Sequence, residues 1–278
     1  MAMSLSGEPE DGSKMSQICT LLTDFGEKDS YVAAMKGVLL SKDPSLSLVD
    51  LSHDISPQDI FQGSYFWWGA IPYYPKGTVH LGVIDPGVGT QRKVCVATGG
   101  GQILVCPDNG LLTHWWRETP GARAYQVDRV ELWSEKVTST FHGRDIFAPM
   151  AGLLAAGHLE PEDCGPEIQP ILFELPEWSN QGRIWTGTLV NVDHFGNCIT
   201  SIPGNALDMG PGNRIRLKDG TLLRRVSTYG EAEKGELVIL EGSSGQLECA
   251  VNQGSAQSIL GLNPGDEITL TLDDPPPR

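Results

Sequence analysis

From Ile18 onward the chain alternates short apolar runs with turn-forming residues. ICTLLTD (18–24), SLSLVDLSH (45–53), TVHLGVIDPG (78–87), KVCVATGG (93–100) and QILVCPDNG (102–110) have the length and composition of strands bounded by turns. Between them, YVAAMKGVLLSK (31–42) and DIFQGSYFWWGAIPYY (59–74) are long enough for crossover helices, and DIFAPMAGLLAAG (145–157) is a third helical stretch. This order predicts an α/β fold with a mostly parallel sheet covered on both faces, because parallel neighbours need long crossovers and the crossovers pack on the sheet. In that arrangement Thr23-Asp24-Phe25-Gly26, Asp85-Pro86-Gly87-Val88-Gly89 and Pro107-Asp108-Asn109-Gly110 fall where strands hand over to loops, the crevice where open sheets bind ligands.

The texture changes after IQPILFELPEWSNQG (168–182), a stretch near prolines 166, 170 and 176. RIWTGTLVNVDHF, NRIRLKDGTLLRRVSTYG, ELVILEG, QLECAVN and DEITLTLDD follow as short runs parted by Gly, Asp and Asn, which predicts a small barrel or sandwich. The expected organisation is a disordered leader over 1–16, an α/β domain over 17–177, an all-β domain over 178–273 and a loose tail over 274–278. No internal repeat or low-complexity segment stands out.

With 278 residues, 40% hydrophobic and 20% charged, the chain can bury a substantial core. Its formal charge of -15 repels nucleic-acid phosphate and anionic membranes, so no nucleic-acid partner and no membrane association are expected. No run is long enough to span a bilayer, and the start MAMSLSGEPEDGSKMSQ lacks the apolar stretch of a signal peptide. The six cysteines (19, 95, 106, 164, 198 and 249) form no CxxC pair and read as buried thiols, pointing to a soluble protein of the cytoplasm.

Any one of the glycine-flanked acidic motifs, Asp193-His194-Phe195-Gly196-Asn197 included, has an ordinary account as an Asx-capped turn. DPGVG matches neither GxGxxG nor the Walker phosphate loop, yet it lets Asp85 project from a strand end while Arg92 returns toward it. An arginine there keeps the carboxylate ionised and offers a rigid fork for a small oxygen species. His142 in TFHGRD sits at a helix start, where a surface or capping role competes with one near neutral pH. No HExxH or clustered His and Cys set suggests a metal, no GxSxG elbow a serine hydrolase. Tyr65, Phe66, Trp67, Trp68, Tyr73 and Tyr74 read as core and interface packing.

Taken together, TDFGEKDSYVAAMKG, VDLSHDISPQDI, VIDPGVGTQR, PDNGLLT, TFHGRDIFAP and VDHFGNCIT, in this order over residues 18 to 271, resemble the S-adenosylmethionine hydrolase or hydroxide adenosyltransferase family, related to the fluorinating and chlorinating enzymes. The resemblance implies an N-terminal α/β domain, a C-terminal β-barrel, and a homotrimer whose sites join the N-terminal domain of one subunit to the C-terminal domain of the next. It implies hydrolysis of S-adenosylmethionine to adenosine and methionine by water or hydroxide attacking the ribose C5' carbon, with no cofactor and no metal. Asp85, Arg92 and His142 match the set that hydrolases carry and halogenases lack, and Gly143 stands where halogenases have a halide-seating serine. By the same resemblance Asp24 grips the ribose hydroxyls, and Asp29 and Tyr31 line the nucleoside and methionine pocket. Asp193 lies near the methionine ammonium, Phe195 and Asn197 by the adenine, and Ser243 and Asn252 close round the ligand. Halogenase and non-catalytic sensor are the competing readings. A methyltransferase would attack the methyl carbon instead and leave S-adenosylhomocysteine.

Overall fold

Three apolar runs become β1 (Ile18–Thr23), β2 (Ser47–Ser52) and β3 (Val79–Val83), linked through α1 (Tyr31–Lys42) and α2 (Ile60–Ala70). Both crossovers bring the chain back parallel to β1. This is a computed structural model that describes residues 18–207 and 213–273, so the expected leader and tail lie outside the described residues. The chain divides into two units, one ending at Phe173 and the other starting at Glu174.

In the first unit, β4 (Val94–Gly99) and β5 (Gln102–Pro107) form an antiparallel hairpin. Only Gly100 and Gly101 separate them, with φ of 60° and 84°, and a two-residue turn that follows strand twist needs left-handed backbone at both positions. β5 pairs with β3 in parallel, and β6 (Arg123–Gln126) and β7 (Glu167–Ile168) extend the other edge antiparallel. The order is β2-β1-β3-β5-β4-β6-β7, with four strands in one parallel block and an antiparallel margin created by the Gly-Gly turn.

Adjacent residues of β1 serve opposite faces, as a period of two requires. Leu21 joins Met35 and Leu39 of α1 and Met150 and Leu154 of α4 (Ala148–Ala155), whereas Leu22 joins Trp67 and Ile71, with Trp115 of the short α3 (Thr113–Arg117). The Trp67 ring lies against β3 so closely that a Cβ on Gly82 would come 2.5 Å from it. Burying such a ring removes roughly 200 Å² from water, a gross gain of about 5 kcal/mol. Of the aromatic cluster, Tyr65 and Trp67 are buried, but Phe66 and Tyr73 are exposed. The helical stretch expected from 145 begins instead as a π-helical turn over Gly143–Phe147 that runs into α4; such turns are frequent at functional sites.

The second unit contains β8 (Ser179–Gln181), β9 (Ile184–Val192), β10 (Cys198–Pro203), β11 (Arg214–Leu217), β12 (Leu222–Arg225), β13 (Leu237–Glu241), β14 (Gln246–Val251), α5 (Ala256–Leu260) and β15 (Glu267–Leu272). Their order is β10-β14-β13-β12-β11-β15-β9-β8, and β9 also pairs with β10, so the sheet closes into a barrel with β8 hanging on its rim. Gly187 permits the closure, since a Cβ there would meet Ile202 at 2.6 Å. Leu189, Ile215, Leu223, Ile239, Cys249 and Ile268 are among the buried residues that fill it.

All six cysteines are buried and free. Burial pushes the Cys19 and Cys164 thiols up to about 12 and Cys198 to about 11, so they are protonated hydrophobes at neutral pH. Among the described residues no helix is long and apolar enough to cross a membrane.

Candidate active site

β3 ends at Val83, and the chain folds into a tight loop in which the Val88 amide donates to the Asp85 carbonyl (3.2 Å) and the Thr90 hydroxyl to that of Gly87 (2.7 Å). The glycines make the loop possible by close approach. A Cβ on Gly87 would lie 3.2 Å from Arg92 Cγ, and one on Gly89, at φ +76°, would lie 2.5 Å from the Ser139 carbonyl oxygen. The loop is therefore pressed against the segment that leads to His142.

Arg92 joins the two ends. Its Nε donates to both Asp85 oxygens at 2.8 and 3.0 Å, and Nη2 donates to Asp85 Oδ2 and also to His142 Nδ1 at 2.8 Å. The Asp85 and Arg92 side chains are only 5% and 10% exposed, and the guanidinium lies over the Phe147 ring, 5.0 Å from its centroid. A guanidinium has donors and no acceptor, so His142 Nδ1 must accept and the imidazole is neutral with its hydrogen on Nε2. Burial, and then the Arg92 charge, hold the His142 pKa below the ordinary histidine value, with Asp85 and Asp145 opposing. Asp145 anchors the neighbouring loop, accepting from the Thr138 amide (2.8 Å) and hydroxyl (2.6 Å) and from Arg144 Nε (2.6 Å). Arg92 and His142 also line a cavity of ≈ 350 Å³ with Thr90, Lys93, Trp133 and Val137.

Asp24 directly follows β1, and its Oδ2 accepts the Gln58 amide at 2.7 Å. Thr23 steadies this turn, its hydroxyl accepting from the Phe25 amide (3.3 Å) and bonding His53 Nδ1 (2.8 Å), while the Gly26 amide reaches the His53 carbonyl (2.8 Å). Tyr31 opens α1, and its ring meets those of Phe25 and Phe141 edge-on, with centroids 5.9 and 5.1 Å away. Phe141 precedes His142, so this aromatic triangle ties the Asp24 turn and the start of α1 to the histidine. Asp29 lies exposed in the loop just before α1.

In the second unit, Asp193, Phe195, Asn197, Ser243 and Asn252 all line one cavity of ≈ 680 Å³, within the range of small-molecule sites. Asp193 Oδ1 accepts the amides of Phe195 and Asn197, each at 2.9 Å, and Oδ2 accepts Asn197 Nδ2 at 2.8 Å. Gly196, at φ +82°, packs its α-carbon against Ser255, where any Cβ would collide. The Asx turn is thus present and at the same time presents Phe195, 73% exposed, at the cavity. Asn252 Nδ2 donates to the Ala232 carbonyl at 2.7 Å.

Two tight-turn motifs that end in chemistry-bearing residues, followed by a barrel with its own ligand-sized cavity, match a known pair of domains: the SAM hydroxide adenosyltransferase N-terminal domain over residues 19–165 and C-terminal domain over 187–269. The chain belongs to the SAM hydroxide adenosyltransferase family. Within it, this protein is 40% identical over 263 residues to the (R)-S-adenosyl-L-methionine hydrolase of Thermus thermophilus, covering 90% of this chain and 97% of that one. Identity is 38% to the enzyme of the same name from Salinispora tropica (90% and 95% covered) and 29% to the fluorinase of an Actinoplanes species (91% and 97% covered). Among solved structures, it resembles an uncharacterized conserved protein from Thermotoga maritima, with 33% identity, a TM-score of 0.85, and 91% and 99% of the two chains covered.

In this family member the Asp85, Arg92 and His142 set is physically one hydrogen-bonded unit, and the five barrel residues share one cavity. Motif reading missed Gln58, Tyr229 and Gln253. Gln58 (φ 67°) and Gln253 (φ 57°) are the non-glycine residues with left-handed backbone among the described residues; one donates to Asp24 and the other lines the barrel cavity. Such strain gathers at functional sites. Each sits beside a turn residue in sequence, Gln58 after Pro57, Tyr229 before Gly230 and Gln253 before Gly254, which marks a turn but not a role.

Proposed function

We propose that this protein hydrolyses S-adenosyl-L-methionine to adenosine and L-methionine, with water or hydroxide attacking the ribose C5' carbon. The C5'–S bond breaks with its electron pair going to sulfur, which leaves as a neutral thioether, while a C5'–O bond forms and the water gives up a proton. The leaving group sheds charge as it departs, so it needs no general acid, and the protein must act on the oxygen nucleophile. The observation that carries this reading is the single Asp85–Arg92–His142 unit, its carboxylate and guanidinium nearly dry and its members joined by charge-assisted bonds.

The arrangement also favours one proton acceptor. His142 has spent its Nδ1 lone pair on Arg92 and carries a hydrogen on Nε2, so it can donate to a water oxygen but has no lone pair left to take a proton. Asp85 keeps an unused lone pair beyond the three it gives to Arg92 and is the base of this scheme. Arg92 orients that carboxylate and attracts developing hydroxide. Asp24 grips the ribose hydroxyls, Asp29 and Tyr31 line the pocket, and Asp193, Phe195, Asn197, Ser243 and Asn252 complete it from the barrel of a neighbouring subunit in a homotrimer. The six buried thiols support a cytoplasmic location.

The test is product identification from the purified protein, S-adenosylmethionine and oxygen-labelled water, with and without chloride. Adenosine labelled at its 5'-hydroxyl, together with methionine, is expected. 5'-Chloro-5'-deoxyadenosine would mean a halogenase, S-adenosylhomocysteine a methyltransferase, and bound but unchanged substrate a sensor.

A further inference from the structure

Glu248 is an acid in the wrong place for a barrel strand. It sits in β14 between Leu247 and Cys249, both fully buried, and is itself only 4% exposed. A carboxylate in such a position is costly unless it is paired or hydrogen-bonded, yet the charged and polar groups that act on it are Tyr229 and Asp193, neither of them a cation. Burial pushes the Glu248 carboxyl up, the Tyr229 bond pulls it back, and the Asp193 charge adds to the rise. The Tyr229 hydroxyl donates to Oε1 in a short hydrogen bond, and Oε2 occupies the space that a Cβ on Gly242 would need. Room for the acid has therefore been made in the turn that carries Ser243, and its one tight partner, Tyr229, lines the ≈ 680 Å³ cavity. Tyr229 stands on a single 3-10 turn (Tyr229–Glu231) and is 43% exposed, so its own packing does little to hold the ring.

We propose that Glu248 is a positioning residue for the barrel cavity: by accepting the Tyr229 hydroxyl it locks that ring as one wall of the nucleoside pocket. The inference rests on the proposed function only in taking a nucleoside as the occupant of this cavity. A leucine at 248 would remove the buried acid on the sheet face opposite Leu247 and Cys249 and leave Tyr229 untethered, whereas a glutamine keeps an oxygen able to accept the same hydroxyl.

Adenosine titration calorimetry, steady-state kinetics and thermal melting on the full chain test this with Glu248→Leu, Glu248→Gln, Tyr229→Phe and the Glu248→Leu/Tyr229→Phe double variant. Glu248→Leu and Tyr229→Phe should each weaken adenosine binding about tenfold and raise KM alike, with kcat changed less than about threefold, and the double variant should be no worse than either. Glu248→Gln should restore affinity to within about threefold of wild type, a rescue that a purely structural acid would not give. A folded Glu248→Leu protein with wild-type affinity, a Glu248→Gln variant as weak as Glu248→Leu, or losses that multiply in the double variant would each overturn the assignment. If Glu248→Leu does not fold, Tyr229→Phe decides alone, wild-type affinity there being the overturning result. Failure of the wild-type protein itself to bind adenosine would count against the proposed function instead.

Discussion

Replacing Asp85 by asparagine tests whether this carboxylate serves the nucleophile, as proposed, or holds the substrate. The carboxylate receives three contacts from Arg92 in a setting where the two side chains are 5% and 10% exposed, so each is a charge-assisted bond little screened by water. The substituted amide would keep one accepting oxygen but turn an NH2 group toward guanidinium N–H donors, exchanging attraction for donor-against-donor contact and removing the base of the proposed scheme. Hydrogen bonds to charged groups are worth about 1.5–3 kcal/mol, and loss of one preorganised electrostatic contact costs about 10²–10³ in turnover. Asp85→Asn should therefore lower the single-turnover rate of adenosine formation by about a hundredfold or more, while adenosine affinity by calorimetry changes less than about threefold. Because the variant leaves Arg92 partly unpaired, a lower melting temperature is also expected, and rates belong well below it. A loss of adenosine affinity in proportion to the lost turnover would refute the reasoning, since Asp85 would then be holding the nucleoside; turnover within tenfold of wild type would refute its role as base.

Asp24→Ala should cost about 1.5–3 kcal/mol of adenosine affinity, because it removes the carboxylate that the proposed scheme has gripping the ribose hydroxyls, and an unchanged dissociation constant would remove Asp24 from ligand contact. Acid should destabilise the fold through His80 and His114, whose pKa values burial pulls down to about 4. Since the unfolded chain binds these protons first, stability is complete above about pH 6.5 and declines as pH falls toward 4, by at most about 3 kcal/mol per histidine. Urea midpoints at pH 7 and pH 5 measure this, and equal midpoints would contradict it. Sedimentation at micromolar concentration should show a trimer, and a fully active monomer would end the idea of a site shared between subunits.

Short apolar runs bounded by turn residues, with long stretches between them, were enough to place β1, β2, β3 and their crossover helices, because a strand that buries Leu21 on one face and Leu22 on the other must be apolar on both. Asp85, Arg92 and His142 were singled out by the family resemblance that the motifs carry, and they are found joined by hydrogen bonds. What these local signals left open depends on contacts between distant residues. The antiparallel margin turns on the left-handed pair Gly100 and Gly101, and β10 is a strand because Gly187 lets β9 approach it and close the barrel, although CITSIP shows no clear alternation. The neutral state of His142 was equally out of reach, since it follows from a 2.8 Å bond to an arginine fifty positions earlier, and a guanidinium can only donate. Gln58 lies inside VDLSHDISPQDI but drew no role from it, and Tyr229, Glu248 and Gln253 belong to no motif. They matter because tertiary structure bends two backbones into the left-handed region and buries one acid beside one phenol, and neither strain nor burial is a property of a residue taken with only its chain neighbours.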